Sequence, residues 1–528
     1  MSATLFENAR FHTGRTADEV FEFMLVEKGR IKKLSHSRPA SISYRKSVDL
    51  GGQNVYPCMI DAHVHLLYSI VTAAMGFDIC SIEGNRVVPS TISGIEKRMR
   101  EFAAGKKKNE LVVANNYILS AIDELRLPSR QELDEWCGGR AAVIYTIDRH
   151  ASALSSAMLE KIGIEPEGHS GVLMGEAHER VQGKLTDAIA SAVTPSVLAR
   201  GIAKVENDCA AWGISHVAAL EGNGDSEKDL TTALLVFLAR RMKLQVRVYF
   251  QYFDAKRVEK WRKFQLHPRL GGCGEWEMDG ATGAHSSAFN VPFRDTGTKA
   301  PCYYTQQQVD EAVEKADGLG YQIASHAIGE CAVERITKAL MKTKPGRFHR
   351  VEHGEFFDEE SFERYKSGRF AVVMQPGYAW IDKRFLHSYE KFLPDEIIKR
   401  LKFASLYRAG VCLCASSDSP VQSMDPYVQM RGMCDFYHKE ESLTPFEAFR
   451  CYTANPAKAI EEDDSIGTLE EGKEANFFCA REELFSLAAD ELAAFSPSAT
   501  YYGGRIYRKK KGSLAELIKL VLTRPHKI

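Results

Sequence analysis

The sequence predicts an α/β protein whose central part is a barrel of parallel strands. Short apolar runs alternate with helical patterns along the middle of the chain, which is typical of repeated strand–helix units. The chain has 528 residues, of which 44% are hydrophobic, so it can bury a large core. The strand candidates approach the number that a (β/α)₈ barrel needs. They are residues 142–146, 216–220, 245–250, 321–325, 350–353, 371–374 and 411–414, with a further strand that ends near His63.

Both ends of the chain carry short alternating strand patterns with glycine turns between them. We expect residues 1–56 and 462–528 to complete one small β-sandwich, and residues 57–461 to form the catalytic barrel. The stretch 66–148 is long for a single strand–helix unit. An inserted subdomain is therefore predicted there, covering the opening of the barrel.

Charge and cysteine usage restrict the class of partner. The 69 Lys and Arg residues nearly cancel the 70 Asp and Glu residues, so no global field would attract nucleic acid or an anionic membrane. A small-molecule substrate is the expected partner. The 12 cysteines lie singly, without C-x-x-C spacing, as in proteins with reduced thiols. With no apolar signal segment and no stretch of ~18 uninterrupted apolar residues, a cytoplasmic location is expected.

His63 and His65 form the most informative local pattern. Alternate residues of a strand point to the same side, so the two imidazoles should converge. The preceding stretch, 54–60, is rich in strand formers, which places the pair at the carboxyl end of a strand, where barrel enzymes carry their chemistry. An isolated H-x-H pair is nevertheless more often structural.

Three further residues follow strand candidates, namely His326, His353 and Asp418. Taken alone, each histidine is more often structural, and Asp418 is more often a helix cap or turn residue. Four histidines and one carboxylate at predicted strand ends together favour a metal site. Imidazole and carboxylate ligands suit Zn²⁺, with manganese, iron or nickel as alternatives because affinity alone does not fix metal identity.

The order of these motifs resembles that of the amidohydrolase superfamily, in particular the YtcJ-like metal-dependent hydrolases, also called the amidohydrolase 3 family. The resemblance covers nearly the whole chain and implies a TIM-like metal-dependent hydrolase barrel with a β-sandwich made from both ends. The motifs are residues 61–66, 326–330, 352–353, 417–420, 455–457 and 467–473.

The resemblance also implies a ligand set. His63, His65 and Asp418 would hold one metal, and His326 and His353 a second. Many members add a carboxylated lysine, and Glu275 stands at the position of that lysine. Glu277 is the alternative bridging carboxylate, and whether one or two metals bind remains open at this point. Glu221 is a weaker candidate for a carboxylate that faces the site.

Three residues are expected to bind substrate by the same resemblance. His150 would contact the substrate carbonyl or line the pocket, while Asp279 and Gly280 begin a glycine-rich loop of the site. His285, just beyond that loop, is either a substrate contact or an exposed loop residue.

The ligand set predicts hydrolysis of a C–N bond in an amide, an N-substituted formamide or a cyclic amide. A divalent cation lowers the pKa of a bound water to about 7, and Asp418 can move the proton of that water to the departing nitrogen. Hydrolytic deamination of an amidine-type ring and a non-catalytic metal-binding barrel are the alternatives. Similar barrels commonly form homodimers, but this sequence carries no interface signal.

Overall fold

Eight parallel strands form a barrel at the centre of the protein in a computed structural model that describes residues 3–39, 44, 46–83, 86–147, 149–222 and 229–528. Neighbouring strands pair in chain order, and a bridge between Val64 and Ser419 brings the last strand to the first, so the barrel is nearly closed. The predicted fold class is thereby confirmed. The barrel strands are β1 (Met59–Val64), β2 (Ile214–Glu221), β3 (Gln245–Phe250), β4 (Arg269–Glu277), β5 (Gln322–Ala327), β6 (His349–His353), β7 (Phe370–Met374) and β8 (Cys412–Ala415).

Helices connect the barrel strands and bury apolar faces against them. The helix after β5, for example, begins at Glu330 and buries Val333, Ile336 and Leu340 at helical spacing. From β2 onward the helices are Leu230–Ala239, Ala255–Arg262, Gln306–Gly318, Glu330–Leu340, Glu359–Tyr365, Pro376–Ile381, Asp382–Leu386, Ser388–Phe392, Asp395–Ile398, Ala404–Arg408, Pro426–Cys434, Lys439–Glu441, Pro445–Arg450, Ala454–Ala459, Leu484–Ser486, Ala489–Leu492 and Leu514–Leu522.

Strand β4 is the barrel strand that the sequence pattern concealed. Its segment contains Gly271, Gly272 and Gly274, which is typical of a turn, and all three adopt positive φ. On β5, Ser325 pairs with Gly272 and the next residue, His326, pairs with Glu277, so residues 273–276 bulge out of the ladder. The bulge decides which side chains of β4 face the barrel interior.

Strands from both chain ends share a second sheet. The described hydrogen bonds join them in one mixed sheet rather than in two separate sheets, and Leu5 and Phe477 lie in its fully buried part. Its strands are Thr4–His12, Val20–Phe21, Phe23–Glu27, Arg30–Ser35, Lys46–Pro57, Phe477–Ala480, Ala499–Tyr502 and Arg505–Ile506.

The segment between β1 and β2 contains a sheet of its own. This segment extends to the helix Pro195–Ala211. The predicted insertion ended earlier, at residue 148, which lies outside the described residues. Residues 142–146, predicted as a barrel strand, belong to this sheet, because a buried apolar run does not reveal which sheet it joins. The strands are Phe77–Asp78, Val112–Tyr117, Ala142–Thr146, Ala151–Leu154 and Val172–Met174, with a separate ribbon of Ser81–Glu83 and Arg86–Val88. The helices are Leu66–Met75, Ile92–Ala104, Leu119–Ala121, Arg130–Trp136, Ser156–Lys161, Glu176–Ala190 and Pro195–Ala211.

Among the described helices, none is by itself long and apolar enough to cross a membrane. Glu176–Ala190 and Pro195–Ala211 reach that length and composition only when taken as a pair, and they meet at an angle of 111°.

A buried ion cluster holds the amino ends of two barrel strands to the chain that follows β8. Glu462 accepts hydrogen bonds from Arg247 of β3, at 2.7 Å through Nη2, and from Arg269 of β4, at 2.8 Å. All three side chains are buried. Burial alone would raise the pKa of Glu462, but Arg247 and Arg269 outweigh it and lower this pKa to about 2.

Replacement of Glu462 by Gln is expected to lower the free energy of unfolding by about 3–5 kcal/mol, because it leaves two guanidinium groups buried beside a neutral partner. Denaturant unfolding at pH 7 measures this difference. Since the pKa of Glu462 falls on folding from 4.5 to about 2, its stabilisation is present above pH 4.5 and is lost as the pH falls to 2. The difference from wild type should shrink over that window. Glu363→Gln, at an exposed pair with Lys366, should change stability by less than about 0.5 kcal/mol; equal effects of both variants would contradict the prediction.

Candidate functional site

The carboxyl ends of four barrel strands bring the predicted histidines and Asp418 together. His63 lies in β1 and His65 follows it, His326 lies in β5, His353 ends β6, and Asp418 follows β8. The ring centroids of His63 and His353 are 5.2 Å apart, and those of His326 and His353 are 4.3 Å apart. The five residues therefore form one cluster.

Asp418 contacts both histidines of the H-x-H pair. Its Oδ1 lies 3.1 Å from Nε2 of His63 and 3.2 Å from Nε2 of His65. The backbone sets this approach, because the amide of Asp418 donates to the carbonyl of His63 at 2.9 Å. Asp418 itself has a φ of 54°, a left-handed conformation that is uncommon outside glycine and is often found at functional sites.

Each histidine has its other ring nitrogen against an acceptor outside the cluster. Nδ1 of His63 lies 2.8 Å from Glu352, Nδ1 of His65 3.1 Å from the Leu220 carbonyl, and Nδ1 of His353 2.7 Å from Oε1 of Gln375. For His326 the outer atom is Nε2, 3.4 Å from the carbonyl of Gly280. We call the ring nitrogen that faces these acceptors the outer nitrogen and the other one the inner nitrogen. When the outer nitrogens carry the protons, all four inner nitrogens present lone pairs to the cluster, which is the arrangement found in histidine ligands of metals.

The donor set fits a cation on two observations. Nε2 of His353 is buried without a hydrogen-bond partner, and Oδ1 of Asp418, although close to two rings, makes no hydrogen bond of normal geometry. A carboxylate oxygen that faces imidazole lone pairs at 3.1–3.2 Å is stable only when positive charge lies between them. Burial lowers the pKa of His65, but Asp418 and Cys273 outweigh burial and raise it to about 10, which reflects the same demand for positive charge.

Cys273 is a member of the cluster that the sequence reasoning missed. Its Sγ lies 3.7 Å from Nε2 of His63 and 4.0 Å from Nδ1 of His326, and it forms a candidate ligand group with His63 and His353. Burial would raise the pKa of this thiol, but the surrounding histidines, His63 first, hold it well below its ordinary value. The side chain can thus act as a thiolate ligand, which suits zinc.

The structure does not bring Glu275 into this cluster. Its carboxylate accepts a hydrogen bond from the amide of Phe253 at 2.6 Å, because the β4 bulge turns the side chain away from the histidines. Cys273 occupies the place for which Glu275 was predicted. The only sequence signal for it is a cysteine between glycines, Gly272 and Gly274, at the end of a strand.

Glu277, the alternative bridge, lies at the edge of the cluster. One carboxylate oxygen accepts from the amide of Gly274 at 2.9 Å, and the other is buried without a partner. It forms candidate ligand groups with Cys273 and His326, and with His150 and Glu179. Glu221 also faces the cavity beside the cluster, but it accepts from the amide of Leu67 at 3.0 Å, and burial raises its pKa to about 7.

The three residues predicted to bind substrate divide into two kinds. His150 lines the cavity, its ring 5.5 Å from that of His326 and its Nδ1 2.7 Å from Glu179. Asp279 and Gly280 line neither of the two cavities that open onto the cluster. Asp279 instead accepts from the amides of Ala288 and Gly329 at 2.8 Å each, so it fixes the loop.

Two neighbouring cavities open onto the cluster. The larger, of about 520 Å³, is lined by cluster residues and by residues of the segment between β1 and β2. The smaller, of about 50 Å³, is lined by Ile328, Tyr378 and Tyr389 among others. Both include His353 and Asp418. His285 lies apart from the cluster and contacts Asp295 at 2.8 Å.

A parallel barrel with clustered imidazole, thiol and carboxylate groups at the carboxyl ends of its strands defines an α/β-barrel enzyme. The model of the amidohydrolase family matches residues 46–508. The chain belongs to the amidohydrolase family and is a hydrolase of carbon–nitrogen bonds.

Individual relatives are distant but span nearly the whole chain. YtcJ of Bacillus subtilis is 23% identical over 93% of this chain and 96% of that protein. The N-substituted formamide deformylase of Arthrobacter pascens is 25% identical, over 96% and 98%. A crystal structure of a metal-dependent hydrolase from Pyrococcus horikoshii has a TM-score of 0.71 at 20% identity, covering 93% of this chain and 99% of that one. This last likeness concerns the fold.

Cys273→Ala is expected to lower the amount of divalent metal retained per chain after dialysis, because it removes a sulfur donor from the cluster. Glu275→Gln should retain the wild-type metal content, since its carboxylate is bonded to the Phe253 amide. Elemental analysis by mass spectrometry measures both. Cys434→Ser, a half-buried cysteine outside the candidate ligand groups, is the matched control. Loss of metal in Glu275→Gln but not in Cys273→Ala would support the prediction from the sequence that Glu275 is a metal ligand.

Proposed function

We propose that this protein hydrolyses the C–N bond of a small amide with the help of one or two divalent metal ions, zinc in the first place, at the carboxyl ends of the barrel strands. The observation that carries the proposal is the orientation of the four histidines. Each has one ring nitrogen against an acceptor outside the cluster. The other nitrogen faces Asp418 in His63 and His65, faces Cys273 in His326, and is buried without a hydrogen-bond partner in His353. A purely structural histidine cluster has no need of lone pairs that all face inward.

The donor groups divide between two positions. His63, His65 and Asp418, which form one candidate ligand group, would hold one ion. The second ion would lie beside Cys273, which forms one candidate group with Glu277 and His326 and another with His63 and His353. When bound, such a cation supplies Lewis-acid chemistry, because it polarises a carbonyl and lowers the pKa of a water molecule to about 7.

Asp418 is the proposed proton carrier. Its carboxylate borders both cavities and contacts two of the ligand histidines, so it can reach both the attacking water and the scissile bond. It would accept the proton of the water during attack and deliver that proton to the departing nitrogen. The leaving amine is then neutral, and Asp418 is regenerated as a carboxylate.

The protein also holds the ligands in their orientation. Arg350 binds Glu352 through two hydrogen bonds of 2.8 and 2.9 Å, and Glu352 in turn binds His63. All three side chains are fully buried. This chain of contacts fixes the tautomer and the direction of His63, which is how partners of metal ligands support a site.

Among amides, those with a small acyl group are the favoured substrates. The smaller cavity, about 50 Å³ beside His353 and Asp418, has room for a compact group such as formyl. The similarity to the N-substituted formamide deformylase of Arthrobacter pascens supports the same choice. Hydrolytic deamination would release ammonia instead of an amine and a carboxylic acid, so analysis of the products separates the two reactions.

Asp418→Asn is expected to lower kcat on an N-substituted formamide by about 10²–10⁴-fold, because the amide cannot carry the proton. Formate release, followed for wild type before and after chelation and zinc addition, gives the reference rate. Asp395→Asn, at an exposed pair with Arg294, is the control and should keep the wild-type rate. Full zinc-dependent activity in Asp418→Asn would rule out its role as proton carrier, and absence of formate or other acid release from any amide would rule out the proposed reaction.

A further inference from the structure

Arg149 is a cation on the wall of the larger cavity. Its Nη2 donates to Oδ1 of Asn115 at 2.7 Å, and among the residues that the structure describes no carboxylate forms an ion pair with it. The other arginine of this wall, Arg180, is exposed and pairs with Glu176. Arg149 is therefore the one unpaired guanidinium that the described part of the chain places on this cavity.

The surroundings of Arg149 hold its side chain in place. Its guanidinium lies 4.6 Å from the ring centroid of Tyr145 and 5.2 Å from that of Tyr68. Its φ of 63° is left-handed, a conformation that costs a non-glycine residue free energy and is retained mostly at functional positions. The cation is thus prepared in one orientation before any ligand binds.

Because the guanidinium of Arg149 is buried, an anionic partner would stabilise it. Removal of the guanidinium from water lowers the pKa of Arg149, yet arginine stays protonated at neutral pH. Asp418 and Asp78 stabilise this charge at a distance, but neither forms an ion pair with it, and the cost of burial is larger than these contributions. An anion in direct contact with the guanidinium would therefore be favourable. The remaining N–H groups of its planar fork are suited to an acceptor with two oxygens.

The cavity that Arg149 lines also leads to the metal-binding cluster. His150, the next residue, has its ring 5.5 Å from that of His326, and the wall continues to His65 and Asp418. An anion at Arg149 would therefore belong to a molecule that extends to the scissile bond. Arg180 on the same wall is paired with Glu176, and the cavity also carries Glu179 and Glu277. A singly charged group therefore fits beside Arg149 better than a phosphate dianion.

We propose that Arg149 binds a carboxylate of the substrate, so that the preferred amides carry a carboxylate on the amine side of the scissile bond. This assignment rests on the proposed amide hydrolysis for its context, but the binding of a carboxylate by Arg149 can be measured without turnover. It makes Arg149 a specificity-determining residue contributed by the segment between β1 and β2.

The test uses pairs of ligands that differ only in whether they carry a carboxylate or the neutral carboxamide at the same position. N-formylglycine, N-formyl-β-alanine and N-formyl-4-aminobutyrate are compared with their neutral carboxamides. Wild type is expected to prefer the best carboxylate over its carboxamide by about 10–100-fold in kcat/KM, the range of a charge-assisted hydrogen-bonded pair. Arg149→Gln should lose this preference, because kcat/KM falls more on the carboxylate than on the carboxamide. Arg149→Lys should retain part of the preference, because the charge remains but the fork is lost.

Calorimetry on chelator-treated protein supplies a readout that does not depend on turnover. The N-formyl carboxylate with the highest kcat/KM should bind metal-free wild type, and it should bind Arg149→Gln about 10–100-fold more weakly. Arg180→Gln is the matched control and should keep the wild-type affinity, since its charge is already neutralised by Glu176.

The outcomes separate this inference from the proposed reaction. Carboxylate binding that depends on Arg149, without turnover of any ligand, would support the inference and overturn the reaction. Turnover without a charge preference, or equal losses on both members of a pair in Arg149→Gln, would overturn the inference and leave Arg149 as a structural residue between its two tyrosines.

Discussion

The contact of Asp418 with His63 and His65 spans the seam where the barrel closes, and the rest of the site depends on it. The amide of Asp418 donates to the carbonyl of His63, and the amide of His65 donates to the carbonyl of Ser419 at 2.8 Å. The same backbone bonds that join the first strand to the last therefore press a carboxylate against two imidazoles. Closure of the barrel and assembly of the donor cluster are therefore one structural event.

The surrounding contacts hold His63 in place against Asp418. Glu352 lies between Arg350 and His63, all fully buried, so its negative charge is matched on one side and directed to the ring on the other. A buried ion pair of this kind contributes little net stability compared with apolar packing, but it fixes orientation. The histidine cannot rotate to satisfy its inner nitrogen elsewhere.

The sequence predicted the parts of the site that regular strands position. His63 and His65 follow from strand alternation, and His326, His353 and Asp418 from the ends of apolar runs. Glu275 was misplaced because alternation fails across the β4 bulge, where glycines with positive φ allow residues 273–276 to leave the ladder. Arg149 and Glu179 depend on how the inserted sheet packs over the barrel, and local patterns carry no information about that packing.

The barrel and the segment between β1 and β2 supply different residues to the site, and this difference determines how the proposed substrate is oriented. The barrel supplies the proposed ligands on rigid strand ends, while the segment between β1 and β2 supplies His150 and Arg149 to the larger cavity. Since the two cavities meet at His353 and Asp418, the scissile bond of the proposed substrate lies at their junction. The smaller cavity then receives the acyl side and the larger one the amine side, which is why the proposed carboxylate is assigned to the amine. Changes in the insertion can alter which amines bind without disturbing the donor cluster, because Arg149 and His150 lie between two strands of the inserted sheet, whereas the donors lie in or next to barrel strands.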